Sequence, residues 1–170
     1  RYERRWAGGC LPAKHQGVKM RGGAEPVLYL NNPKGVDRPM RRRMLDRIRD
    51  INQQHYDQFL DPETQTRIAQ YEMAFRMQQS VPELMDLSNE PEYVFDMYGP
   101  DSKKPGSFAR NCIIARRMAE RGIPMMQLFH RGWDQHGSLP KLIREQGKTM
   151  DQPSAARTST LTHRGSWDDT

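Results

Sequence analysis

The chain has 170 residues, and 27 Lys and Arg against 21 Asp and Glu leave a net charge of +6. Leu, Ile, Val and Phe account for only 28 of them, short of the roughly one-fifth below which disorder becomes a concern; eleven Met, six Tyr and three Trp make up part of the deficit, so a folded domain with a thin core is expected. No apolar run approaches the about 18 residues of a membrane-spanning helix, and Cys10 and Cys112 are too few for a disulfide framework or a cysteine-based zinc site.

Residues 1–26 carry scattered Gly and Pro without periodicity and read as loop. Val27-Leu28-Tyr29-Leu30, closed by Asn31-Asn32-Pro33, reads as a short buried strand followed by a turn. Asp37 caps a helix expected to run to Phe59, with Pro39 where a missing N–H costs nothing. Met40, Met44, Leu45, Ile48, Ile51 and Tyr56 recur on it at helical spacing. Asp61-Pro62-Glu63 starts a second helix by the same logic, ending at Val81-Pro82, and the two form an antiparallel pair. Tyr71, Met73, Phe75 and Met77 on this second helix read as core packing rather than a cofactor box.

Two short helical turns, 82–87 and 90–98, stop at Gly99-Pro100. Ser107 then caps a helix of about 108–121, and Gly122 stands at the usual left-handed stop. Ile123–Phe129 is an apolar run of strand length. After the loop His130–Gly137 come a helix from Pro140 to Gln146, stopped at Gly147, and another from Asp151 to Arg164. The organisation predicted is loop and strand over 1–36, a helical insertion over 37–106, and a helix–strand–loop–helix unit over 107–170. The last is half of a βαβ unit, so the fold class expected is α/β: a helix-rich domain with a few parallel strands, truncated at both ends.

The chemistry concentrates at Asp134 and His136. A carboxylate oxygen and an imidazole nitrogen are good ligands for divalent metals. Two positions apart in extended backbone, they project to one side. They also follow directly on the strand expected over 123–129, where ligands gather in open α/β sheets. His130 opens the same loop, as a third ligand or as an orienting group behind the first two. Gly132 and Gly137 permit tight turns around the site. Against this stands the plain reading, in which a loop Asp caps the next helix and a loop His is solvated. His15, His55 and His163 are scattered and take no ligand role.

The run Arg41-Arg42-Arg43 with Arg47 and Arg49 has phosphate-binding character, but Asp46 and Asp50 interrupt it. A solvated helix face is the reading preferred, here and for Arg116-Arg117, so no nucleic-acid partner is expected. No Gly-x-Ser-x-Gly elbow, phosphate loop or dinucleotide fingerprint occurs.

Several stretches together resemble a known family: Gly17–Pro33, Arg67–Gln78 with Ser80-Val-Pro-Glu-Leu84, Asn111–Gly122, Gln127–Gly137 with its Trp133-Asp134-Gln135-His136 element, and Asp151–Ala156. The chain resembles, over nearly its whole length, the large bacterial family called domain of unknown function 1501, whose planctomycete members are often labelled sulfatase-like. The resemblance implies a fold similar to the alkaline phosphatase and sulfatase superfamily, with a metal site at strand ends. It also implies export, often through a twin-arginine leader, to a periplasmic or extracytoplasmic location. It gives Asp134 and His136 the metal role of the Trp-Asp-x-His element. The family's later Gly-Glu-Phe-Gly-Arg-Thr and Asp-His-His-Pro elements have no counterpart here and are expected beyond Thr170.

The function expected is thus that of a fragment of a metal-dependent hydrolase acting on sulfate or phosphate esters, small-molecule or polysaccharide, and inactive by itself. Its cofactor is a divalent zinc, manganese or calcium ion, with no nucleophile assigned. The alternatives are a non-catalytic basic helical interaction module and a non-functional remnant.

Overall fold

Short polar caps start three of the helices where local chemistry places them. A computed structural model of the chain describes residues 17–23, 25–28 and 30–163. Helix α1 spans Arg38–Phe59, and the Asp37 carboxylate accepts the Met40 N–H at 2.7 Å, which satisfies a donor that has no partner within the helix. It ends at Leu60 in the left-handed conformation, φ 52°. Helix α2 spans Pro62–Met85, with Asp61 accepting the Glu63 N–H at 3.0 Å. After α3 (Glu92–Tyr98), Ser107 caps α4 (Phe108–Glu120) by accepting the Arg110 N–H at 3.0 Å. Gly122 follows α4 with φ 77°, the conformation that favours glycine. Helix α5 spans Leu139–His163. No helix of the described residues is long and apolar enough to cross a membrane.

The chain divides into two compact units, one built on Pro26–Glu83 and the other on Leu84 onward together with Arg21–Glu25. In the first, α1 and α2 run antiparallel, as their side-chain partners show. Arg38 donates to Gln79 at 3.3 Å, Arg42 to Glu72 at 2.9 Å, and Gln65 to Gln53 at 3.1 Å. This hairpin is held more by polar groups than by apolar burial, since Leu45 is the only buried residue of α1. The Phe75 ring is covered by the guanidinium groups of Arg38 and Arg42, 4.6 and 4.9 Å from its centroid. Arg42 also holds the carboxyls of Glu72 and Asp46 below their usual range, chiefly through hydrogen bonds. The reading of Tyr71, Met73, Phe75 and Met77 as core is therefore corrected: Tyr71 and Met73 are exposed, and Phe75 and Met77 are half-buried. Among the described residues of this unit, no further helix packs on the hairpin to bury them.

The second unit packs α3, α4 and α5 together. Its core is Leu87, Val94, Tyr98, Cys112, Ile113 and Ala156, with Phe95, Phe108 and Leu128 packed against it. Arg116, read as a solvated surface residue, is instead buried and paired to Glu90. Its partner lies 26 residues back, beyond the reach of any local pattern.

The α/β expectation is overturned. The described residues form five helices and no strand. Around Val27 the chain bends and turns, and the Leu30 carbonyl accepts from the Gln78 side chain instead of a neighbouring strand. Residues 123–129 are not helical and show the alternation of a half-buried strand. Met126 and Leu128 are partly covered, whereas Met125, Gln127 and Phe129 are exposed. Among the described residues no second strand lies alongside, so the run rests on helices with no ladder to join. The helix breaks at Pro82 and Gly147 are also corrected. Helix α2 continues through Pro82 to Met85, and α5 continues through Gly147 and Pro153. Burial of Val81 and Leu84, and of Pro153 and Ala156, accompanies this continuation. A helical Gly costs only about 1 kcal/mol relative to Ala, less than packing returns.

Cys112 illustrates the state of this core. Burial pushes its thiol from 9.0 up to about 11, and burial also raises the Tyr98 phenol. Both groups are neutral when folded and ionise more readily when exposed. Their contribution to stability is thus complete below pH 9 and is lost as pH rises through and beyond that value. At pH 8 the thiolate fraction of Cys112 is expected to be about a hundredfold below that of a free thiol. Peptide mass spectrometry after iodoacetamide treatment should show Cys112 unlabelled in the native chain and labelled in denaturant. Rapid native labelling would contradict the buried core.

Candidate metal-binding loop

The loop 130–137 is carried between the Leu128 contact with the core and the start of α5. His130 lies against Phe108, centroids 5.3 Å apart and nearly perpendicular, and its other neighbour is the Trp133 ring at 5.8 Å. Because Phe108 packs on the core, this chain of edge-on rings ties the loop to α4. The Nδ1 of His130 is buried and has no hydrogen-bond partner among the described residues. Gly132 takes φ 93°, and an added Cβ there would lie 2.3 Å from the Gln146 amide nitrogen. Its carbonyl accepts from Gln146 of α5 at 3.1 Å and from Gln135 at 3.4 Å. The Lys141 and Leu142 N–H groups bond the Ser138 carbonyl and open α5.

On this frame Asp134 and His136 converge. The Oδ1 of Asp134 and the Nε2 of His136 are 3.1 Å apart, and both side chains are 87% exposed. Gln135 between them is partly covered. The two side chains, two positions apart, thus meet on one side of the loop.

Donor atoms bonded to one metal at about 2.0–2.1 Å lie about 2.8–3.4 Å from their neighbours in octahedral or tetrahedral geometry. The Asp134–His136 separation therefore fits two adjacent ligand positions. The same distance also suits a direct ion pair, which at such exposure contributes about 0–1 kcal/mol. Among the described residues, no group of three His, Cys, Asp or Glu gathers at one point. His130 is engaged by rings rather than by the pair. His55 lies against Phe59, with centroids 4.6 Å apart and the rings tilted by 40°; His15 and the His163 side chain lie outside the described residues.

Gln146 and Gln135 are the residues that sequence reading passes over. Gln146 acts across 14 positions, and nothing in its neighbourhood signals that the chain returns there. Gly132 suits a turn by its residue type, and its backbone takes a left-handed φ of 93°.

The model of the family described as protein of unknown function (DUF1501) matches residues 1–170. The chain belongs to the DUF1501 family. No curated protein and no solved structure matches it. The Trp133–His136 element thus sits, in this DUF1501 chain, on a solvent-facing loop fastened to a helical core. The family description names no activity, so any chemistry rests on the loop itself.

Proposed function

We propose that this DUF1501 chain supplies part of a divalent-cation site to a metal-dependent hydrolase of sulfate or phosphate esters, with Asp134 and His136 as two of the ligands. The observation that carries the reading is the convergence of a carboxylate oxygen and an imidazole nitrogen to 3.1 Å on an exposed loop. A nitrogen and oxygen donor set favours zinc or manganese over calcium, which takes oxygen ligands. A cation bound there would polarise an ester oxygen or lower the pKa of bound water. The chain's own part is to hold both donors on one side of the loop, open to solvent and to an ester. Exposure of both side chains leaves room for water, substrate oxygens and further protein ligands to complete the shell.

The test is calorimetric titration of the chain with zinc, manganese and calcium. Zinc or manganese binding is expected, and the Asp134→Ala/His136→Ala variant is expected to lose it. Flat traces for all three metals, or an unchanged double variant, would overturn the proposal.

A further inference from the structure

We infer that Gln146, on α5, is a positioning residue that fixes the 132–136 loop in the shape that brings Asp134 and His136 together. The inference rests on the metal-site reading above. Three observations meet here. The Gln146 side-chain N–H bonds the Gly132 carbonyl at 3.1 Å, 14 residues away. Gly132 takes φ 93° two residues before Asp134, and its missing Cβ is the space that the Gln146 amide occupies, 2.3 Å from where that atom would stand. Gln135, between the two proposed ligands, donates to the same carbonyl at 3.4 Å. A single carbonyl thus gathers one amide from within the loop and one from the helix behind it. Without the Gln146 bond, the loop keeps the ring contacts of His130 with Phe108 and Trp133 and the internal Gln135 bond, but loses the hydrogen bond that fastens the Gly132 carbonyl, two residues before Asp134, to α5. Two exposed side chains then sample more separations, and a cation must order them at the cost of affinity.

The test compares the full chain with Gln146→Met, which keeps side-chain length but cannot donate, and with Gly132→Ala, which displaces the amide from the other side. Amide hydrogen exchange is measured first in metal-free protein. Faster exchange over 132–136 in both variants, with an unchanged unfolding midpoint for Gln146→Met, is expected. Zinc titration then reads affinity, expected to fall about 10–100-fold in Gln146→Met, the range for loss of a group behind a metal ligand. Unchanged exchange, or wild-type zinc affinity in Gln146→Met, would overturn the inference while leaving the metal site standing. Absence of zinc binding in the wild type would instead defeat the metal-site reading, and the positioning role with it.

Discussion

Replacing Ile113 by Ala is expected to lower the unfolding free energy by about 2–5 kcal/mol, the larger end applying if the site cannot collapse. Ile113 has no exposed surface and belongs to the cluster that joins α3, α4 and α5. A thin core has few neighbours able to shift into the gap. Against a typical total of about 5–15 kcal/mol, this loss is a large share of the stability. Urea unfolding of Ile113→Ala and the parent, followed by circular dichroism, checks it. A change under 1 kcal/mol would show that the cluster is not the core of the second unit. The parent measurement has a second use: a cooperative transition argues against a non-functional remnant, and a featureless slope argues for one.

Replacing Glu90 by Ala is expected to cost about 3 kcal/mol, at the lower end of the range for stripping a buried charge of its partner. The Arg116 side chain is 4% exposed and meets the Glu90 carboxylate at 2.5 Å, with Glu120 farther off at 3.6 Å. Burial opposes the charge on Arg116; the hydrogen bond to Glu90 and the field of Glu120 more than offset it. Glu120 remains after the substitution, which is why the lower end applies. The double variant Arg116→Met/Glu90→Leu removes both charges together and is expected to recover most of the loss. A double variant as unstable as Glu90→Ala would mean that packing, rather than an uncompensated charge, sets the effect.

These two expectations depend on contacts between elements, and so does the difference between the fold expected and the fold found. The strand readings failed for one reason. A short apolar run such as 123–129 carries the period of a strand in its own residues, but a strand also needs a neighbour to accept its N–H groups. Among the described residues none is supplied. The helix breaks at Pro82 and Gly147 failed for a related one. Each residue weakens a helix locally, yet α2 buries Val81 and Leu84 on either side of Pro82, and α5 buries Pro153 and Ala156 beyond Gly147.

What the sequence by itself determined is what lies within about one turn of the chain. Asp37 and Ser107 accept N–H groups three residues on, Gly122 takes its left-handed bend, and Asp134 and His136, two positions apart, meet on one side of their loop. Tertiary structure alone decided that Arg116 is interior, that Phe75 is covered by two arginines of the preceding helix, and that Gln146 returns to the Gly132 carbonyl. The physical reason is range. A cap or a same-side pair draws its energy from neighbours that are always present, whereas a buried charge or a loop tether exists only once distant segments have met.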